Sequence, residues 1–457
     1  MSLGSRFYRQ KGRVTMDENE LMGSMKVSKA VAKMAIPSVI SSLVTVVYNM
    51  ADTFFVGQTG DPLQVAAVSL TNPIFILFMA FANMFGMGGS AAASMALGEK
   101  KEKRVKQVSS FITYASLIVG IVFAAILLVG MQPVLQLFGA DADTYELAKG
   151  YTTYISYGAP FIIWSATASF VVRADGASRE AMTGSMIGTV ANIILDPIFI
   201  SGFGMGAAGA AIATTIGNIM ASVYYLWYFC RKSRNMSMAF RYFKCGDRIL
   251  SQVCSAGLPT AIFSALMSIS TIILNQILVA YGNAPVAAIG IVFKANMFIT
   301  FLQMGLANGV QPLLGYSYGA GNRERFITVE RYTKKCCLIV GVLATALFFF
   351  FREPIIRLFI SDTEVINYGV EMLIAYMISG PVIGILFMNM NCMQSTGNAL
   401  PATILSILRQ GVLLIPVLYG LNALLGLHGV IYGQALTDYV AVLLSIVIWR
   451  WKRRKTL

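Results

Sequence analysis

Long apolar runs separated by short polar breaks dominate the pattern of hydrophobic and polar positions along the chain. Each run is close to the ~20 residues that a helix needs to cross the hydrocarbon core of a bilayer. Twelve such helices are predicted, at residues 34–56, 63–88, 108–130, 150–172, 182–200, 207–230, 251–280, 286–315, 336–351, 367–392, 401–420 and 428–449. The pattern therefore predicts an all-α integral membrane protein.

Composition supports this prediction. Only 12% of the 457 residues are charged and 56% are hydrophobic, whereas a soluble chain would carry about 25% charged residues. The first 25 residues are polar and contain no apolar core of a cleavable signal peptide. The six cysteines form no CxxC pair, so we expect free thiols rather than disulfides or metal ligands.

The net charge of +14 could indicate a nucleic-acid partner, but the distribution of the basic residues argues against it. Basic residues cluster in segments 98–106, 231–248 and 322–335 and in the C-terminal tail, whereas the alternate loops 57–62, 201–208, 281–285 and 421–428 lack Lys and Arg. This alternation is the positive-inside rule of membrane proteins. It predicts that both termini are cytoplasmic and that no nucleic acid is bound.

The two halves of the chain repeat each other with an offset of about 221 residues. "AIPSVISSLV" at 35–44 matches "GLPTAIFSAL" at 257–266, and "LQLFGAD" matches "IRLFISD". Six spans in each half predict two six-helix lobes related by a pseudo-two-fold axis along the membrane normal. The predicted divisions are a cytoplasmic segment 1–33, a first lobe 34–230, a linker 231–250, a second lobe 251–449 and a basic tail 450–457.

Two acids inside spans of the first lobe have no acidic counterpart in the second. Asp52 aligns with Leu274 or its neighbour Asn275, and Asp196 aligns with Ile415. A carboxylate inside a span costs at least ~2.5–3.5 kcal/mol on insertion scales, so it requires a partner or a function.

Depth along the helices brings these acids to one level. Counting ~1.5 Å per residue from the predicted span ends places Asp52, Asp196 and Thr214 about 7–10 Å below the outer surface. Asn192 shares a helix face with Asp196, and Pro197 leaves a backbone carbonyl without its usual partner. These oxygens predict a site for a proton or a hard cation such as Na⁺. The alternative, pairing with a basic side chain, lacks a Lys or Arg at that depth in the first lobe.

The chain resembles the multidrug and toxic compound extrusion (MATE) family over residues ~25–450, in particular the branch of the DNA-damage-inducible F-type and staphylococcal multidrug exporters. The resemblance lies in "NMADTFFVG", "GGSAAASMALGEKK", "NIILDPIFI" and "GAAGAAIATTIGN". It implies that Asp52 and Asp196 couple transport to H⁺ or Na⁺, with Asn192, Thr214 and the Ala210 carbonyl as supporting ligands. A possible Na⁺ ion would be held by Asp52, Asn192, Asp196 and Thr214.

The second lobe has charges of its own inside predicted spans. Arg409 and Asp438 fall near the membrane midplane, and Lys294 lies slightly outward. Asp438 is expected to pair with one of these cations, with direct contact to substrate as the alternative. Further polar residues that could line a central cleft are Tyr48, Asn49, Gln311 and Asn391.

These features predict a secondary active multidrug exporter that moves amphipathic organic cations outward in exchange for H⁺ or Na⁺ by alternating access. It is expected to be a monomer in a bacterial plasma membrane and to need no cofactor. A lipid or lipid-linked saccharide flippase of the same two-lobe architecture is the alternative. An enzyme is not expected, because the chain contains no HExxH motif and no Ser or Cys nucleophile near a histidine; the absence of a Walker A motif excludes ATP as a direct energy source.

Overall fold

The computed structural model describes residues 20–233, 235–246 and 248–456. Residues 1–19 of the predicted N-terminal segment, and positions 234 and 247 of the predicted linker, lie outside the described residues. The described part is helical and contains no strand.

The first lobe contains α1 (Val27–Gly57), α2 (Pro62–Gly98), α3 (Glu102–Val129), α4 (Met131–Leu137), α5 (Tyr145–Ala174), α6 (Ser178–Pro197) and α7 (Gly206–Arg231). The second lobe contains α8 (Ile249–Val279), α9 (Asn283–Gly319), α10 (Arg323–Phe350), α11 (Arg352–Arg357), α12 (Thr363–Ile378), α13 (Gly380–Ser395), α14 (Ala399–Ile407) and α15 (Leu414–Thr456). Two π-helical turns interrupt the lobes, Ile198–Gly202 after α6 and Leu408–Leu413 after α14, and a short 3₁₀ turn covers Phe240–Tyr242.

Twelve membrane spans result from these helices. By length and composition the described residues contain ten candidate spans, and an eleventh is formed by α12 and α13, which meet at a 45° bend. The last candidate runs from Ala399 to Thr456 over 58 residues, which at ~1.5 Å per residue is far longer than the ~30 Å hydrocarbon core. Gly426 breaks it with φ 59° and ψ −139°. This break divides it into the eleventh and twelfth spans.

Several helices are longer than the membrane spans predicted from the apolar pattern. Helix α10 begins at Arg323, although the apolar pattern placed the start of that span at 336. The segment "RERFITVERYTKK" is charged but contains good helix formers, so the helix continues beyond the apolar region. Asn322 caps it, accepting a hydrogen bond from the backbone N–H of Arg325 at 2.9 Å. Helices α4 and α11, which are not membrane spans, were not predicted.

The lobes meet on the side of the bundle where the described residues begin, at Glu20, and end, at Thr456. This side is here called the terminal side, and the other side is called the distal side. Helices α2 and α8 touch there with almost no space between their backbones. A Cβ atom at Gly257 would lie 1.8 Å from the carbonyl oxygen of Met84, and one at Gly88 would lie 1.9 Å from that of Val253. The seam between the lobes is therefore closed on the terminal side.

The segment between the lobes is docked on the first lobe. Ser109 on α3 donates to the carbonyl of Ser237 at 3.0 Å, and Tyr114 donates to that of Met238 at 3.0 Å. The ring of Phe243 stacks on Phe111. Much of the segment that joins the lobes is therefore held against α3.

Candidate functional site

The first-lobe site is built around a local break in α6. Pro197 ends the regular helix because it has no N–H to donate, and the chain continues as the π-helical turn Ile198–Gly202. The backbone N–H of Phe203 donates to the carbonyl of Ile198 at 2.9 Å, five residues earlier. Such π turns widen the helix and often occur at functional sites. Asp196 lies at the start of this distortion.

Asp196 belongs to a buried hydrogen-bonded cluster. Its side chain has no exposed surface, and those of Asn192 and Thr214 are only 2% and 4% exposed. The Asn192 Nδ2 atom lies 3.4 Å from Oδ1 of Asp196 and 3.2 Å from Oγ1 of Thr214. Turning this amide by 180° lets Nδ2 donate to Oδ2 of Asp196 at 3.1 Å and Oδ1 accept from the Thr214 backbone N–H at 2.9 Å. We favour this second orientation because it satisfies both ends of the amide.

Tyrosines extend the cluster toward α1 and α5. The hydroxyl of Tyr48 on α1 lies 3.3 Å from Oγ1 of Thr214. Tyr151 on α5 interacts electrostatically with both Asp52 and Asp196, and the two acids interact with each other. The two predicted acids thus lie within electrostatic range of each other. Tyr48, predicted only as a possible cleft residue, belongs to this cluster as well.

Sequence reasoning missed Tyr151. A signal for it was present, because Tyr151 lies six residues from the start of α5 on the distal side, at the depth already estimated for the two acids. The predicted depths refer only to the acids and to oxygen-bearing side chains near Asp196. Applied to every polar residue, the same count would have included this tyrosine.

Ala210 is packed in an apolar group that adjoins the cluster. It is buried with Val56 of α1 and Ile200 of the π turn, in a small apolar group that also contacts Tyr151. Ala210 lies one helical turn before Thr214 on α7, so its carbonyl belongs to the same stretch of backbone. Small and apolar side chains here bring α1, α6 and α7 close enough for their polar groups to meet.

The cluster offers oxygen atoms that can bind protons or a small cation. Neither Asp52 nor Asp196 forms an ion pair with a basic side chain in the described ranges, and Asp52 forms no hydrogen bond there. The described residues also contain no group of three or more His, Cys, Asp or Glu side chains able to hold a metal ion. Two carboxylates with amide and hydroxyl oxygens can hold Na⁺, or can share protons in the same space.

The second lobe contains a buried ion pair between Arg409 and Asp438. Nε of Arg409 donates to Oδ1 of Asp438 at 2.8 Å, and the side chains are 8% and 4% exposed. Asp438 also accepts from Ser379 at 2.8 Å and from Gln434 at 2.9 Å. The aspartate is thus satisfied by three donors, so its charge is compensated inside the lobe.

Aromatic rings complete the surroundings of Arg409. Its guanidinium carbon lies 5.2 Å from the ring centre of Phe263 and 5.7 Å from that of Phe387, so the cation is held by π faces as well as by Asp438. The Nη1 atom has no hydrogen-bond partner among the described residues. These two rings also line a small cavity between the lobes.

The remaining predicted cleft residues are dispersed. Asn391 lines the small inter-lobe cavity and donates to Asn308 at 3.0 Å, whereas Gln311 is buried and lies 3.5 Å from Gln394. Lys294 is half-buried on α9 and forms no ion pair within the described ranges. Asn49 is half-buried on α1. The full cavity lining is Met87, Thr260, Phe263, Met304, Asn308, Phe387, Met390, Asn391 and Gln394.

Two six-helix lobes with a seam closed on one side and a polar cluster buried in one lobe define a two-lobe membrane transporter. A model of the family MatE matches residues 37–198 and 259–419, one match in each lobe. The chain belongs to the MATE family.

Named relatives and solved structures agree with this assignment. The multidrug export protein MepA of Staphylococcus saprophyticus is 32% identical over 422 residues, covering 92% of this chain and 93% of that protein, and MepA of Staphylococcus aureus gives the same values. A MATE crystal structure in the straight conformation has a TM-score of 0.91 at 25% identity, covering 96% of this chain and 98% of that one.

Two other solved structures show the same likeness. An outward-facing multidrug resistance MATE family transporter of the MOP superfamily has a TM-score of 0.89 at 25% identity. A MOP superfamily transporter from Pyrococcus furiosus has a TM-score of 0.90 at 26% identity. Each alignment covers 96% of this chain and 98% of the other. The all-helical, two-lobe prediction is therefore confirmed.

Proposed function

We propose that this protein exports amphipathic organic cations across a bacterial plasma membrane in exchange for H⁺ or Na⁺. The observation that carries the proposal is the cluster of Asp52, Asp196, Asn192 and Thr214, where two acids interact electrostatically without a basic partner. Two membrane-buried carboxylates of this kind are stable only when a cation or a proton neutralises them. The MepA relatives are multidrug exporters, which disfavours a flippase.

The coupling of ion binding to transport follows from the negative charges of Asp52 and Asp196. With the site empty, Asp52 and Asp196 repel each other across the gap between α1 and α6. A bound proton or Na⁺ removes the repulsion and lets α1 pack against α6 and α7 around Ala210. Because α1 also packs against α9 of the second lobe through residues such as Met34 and Val310, repacking of α1 reaches the seam between the lobes.

The closed terminal side fits one end of a transport cycle. By the positive-inside rule, the basic clusters favour a cytoplasmic location for that side, so we assign the closed seam to a state that opens to the outside. The inter-lobe cavity has a volume of about 30 Å³ in this state, too small for an organic cation, but the methionine and phenylalanine side chains that line it are adaptable. One chain contains both lobes and the whole site, so we propose a functional monomer.

The proposal is tested by transport in proteoliposomes with one gradient imposed at a time. Efflux of a fluorescent organic cation should follow either an inward proton gradient or an inward sodium gradient, and the responding gradient identifies the coupling ion. Efflux that needs neither gradient, or transport of a labelled lipid instead of the cation, would contradict the proposal.

A further inference from the structure

A cavity opens at the seam between the lobes on the terminal side, away from the cluster around Asp196. The end of α2, the start of α3 and the start of α8 enclose it. Its volume of about 360 Å³ falls in the range of pockets that hold small ligands, about 300–1,000 Å³. It is lined by Ala92, Met95, Ala96, Glu99, Lys101, Arg104 and Gln252.

The charged lining of this cavity favours an anion. Nζ of Lys101 lies 2.8 Å from Oε2 of Glu99, and Nη2 of Arg104 donates to Oε1 of Gln252 at 3.0 Å. Two cations and one acid among the lining residues leave a net charge of +1. Lys100, Glu102 and Lys103 are exposed in the same segment and together add a further charge of +1.

The depth of the cavity matches the headgroup layer of a bilayer. Helix α2 stays uncharged through "GGSAAASMALG" and meets its first charged residue at Glu99. Helix α3 starts with charged residues and is free of charge after Lys106. The cavity thus lies where apolar sequence gives way to charge, the level of lipid phosphates.

The equivalent place in the second lobe is filled by the chain itself. Arg325 follows Arg104 by the repeat offset of 221 residues, and its guanidinium donates to the carbonyls of Leu21, Met22 and Met25 at 2.8–3.1 Å. Leu21 and Met22 are buried there. An arginine at this point of the fold therefore takes several oxygen ligands at once, which is what a phosphate group offers.

We propose that the cavity at Lys101, Arg104 and Gln252 binds the phosphate headgroup of an anionic phospholipid from the leaflet on the terminal side. The guanidinium and the ammonium take the phosphate oxygens, and the apolar wall of Ala92 and Met95 faces the start of the acyl chains. Arg104 belongs to the first lobe and Gln252 to the second. A bound headgroup therefore favours the closed seam.

The test is native mass spectrometry of the delipidated full chain titrated with phosphatidylglycerol and, separately, with phosphatidylcholine. One phosphatidylglycerol per chain should be retained in preference to phosphatidylcholine. The double variant Lys101→Gln/Arg104→Gln should weaken this retention by roughly tenfold or more, since two charge-assisted hydrogen bonds are lost. The charge-preserving variant Lys101→Arg/Arg104→Lys should retain the lipid and guards against a folding defect in the first variant.

The matched control is Arg331→Gln/Lys335→Gln, which removes the same charge from exposed positions on α10, outside the cavity. Lipid retention should be unchanged in it. An equal loss in this control would mean attraction by overall charge, and unchanged retention in Lys101→Gln/Arg104→Gln would mean that the lipid binds elsewhere. Either result overturns the proposal, as does displacement of the lipid by inorganic phosphate at similar concentration, which would identify a free anion as the ligand.

Discussion

Asn192 links Asp196 to Thr214: its amide lies within 3.4 Å of the carboxylate on its own helix and 3.2 Å from the hydroxyl on α7. The amide thus joins the acid to a second helix, and the hydroxyl of Tyr48 joins the same threonine to α1. Asp196 on α6 is therefore connected to α7 and α1 through the neutral side chains of Asn192 and Thr214.

Asp196→Asn should abolish ion-driven export while leaving insertion into the membrane intact. The substitution keeps the shape of the side chain and removes the charge that a proton or Na⁺ must neutralise, so drug binding should remain. Asp52→Asn should behave alike, and the double variant should be little worse than either single one because the acids act as one site. Efflux of a fluorescent cation from proteoliposomes at matched protein content measures this.

The control for these variants is Asp143→Asn, which changes an exposed acid on the distal side. It should export like the wild type. Normal coupled efflux from Asp196→Asn would return that residue to a packing role and remove the basis of the proposed coupling site.

Tyr48→Phe should weaken ion binding without abolishing transport. It deletes one hydrogen bond to Thr214 and keeps the ring, so the ion concentration for half-maximal efflux should rise about two- to tenfold. The maximal rate should change less. Tyr157→Phe, at a side chain that is 60% exposed, is the matched control, and an equal shift in both variants would show that the Tyr48 hydroxyl has no special part.

Arg409→Met should destabilise the second lobe strongly. It leaves the buried Asp438 without its cation, and breaking a buried pair in this way costs about 3–5 kcal/mol. Arg409→Met/Asp438→Asn should recover much of the loss, because asparagine is uncharged and can still bond to Ser379 or Gln434. Thermal unfolding in detergent followed by size-exclusion chromatography measures both.

Arg357→Gln is the control for the Arg409 variants. It breaks the exposed pair of Arg357 with Glu353, and such pairs are worth about 1 kcal/mol or less. If Arg409→Met were no more destabilising than Arg357→Gln, the buried pair would not support the lobe.

Gly257→Val should open the seam on the terminal side. Its Cβ would collide with the Met84 carbonyl, so the lobes must separate there. A cysteine at position 304, which lines the inter-lobe cavity, should then be labelled faster from the terminal side. Gly290→Val is the control, since a Cβ at Gly290 meets nothing within 4 Å; equal labelling rates in both variants would contradict the closed seam.

The orientation of the chain is tested by labelling single cysteines in a cysteine-free background, which is needed because Cys230 and Cys245 are exposed. Cysteines at Gln58 and Phe203 should react with an impermeant reagent from outside intact cells. Cysteines at Lys101 and Tyr242 should react only after the membrane is opened. Labelling of the Lys101 position from outside would reverse the proposed orientation.

The spans and the approach of the two acids could be predicted because both follow from distance along helices of known rise. Asp52, Asp196 and Thr214 are predicted at one depth because each lies a similar number of residues from the end of its span, and Asn192 shares a helix face with Asp196 four residues later. The span ends were less predictable, since helices such as α10 continue past the apolar sequence once a cap like Asn322 allows it.

Contacts between side chains from distant helices could not be predicted. Depth placed both Lys294 and Arg409 near Asp438, and only the three-dimensional packing shows which cation the aspartate contacts. The stacking of Phe263 and Phe387 on Arg409 has no sequence signal, because aromatic residues are common in every span. The π turn was half predicted: Pro197 indicated a lost hydrogen bond but not how the backbone would respond.

The docking of the inter-lobe segment on α3 limits the distance by which the two lobes can separate during transport. Phe243 is held against Phe111, and α8 begins at Ile249, so only six peptide steps connect the two bodies. Fully stretched, these steps reach roughly 20 Å. Whatever the movement of the lobes, Phe243 and Ile249 stay within this distance of each other. The segment therefore limits how far the lobes can separate on the terminal side.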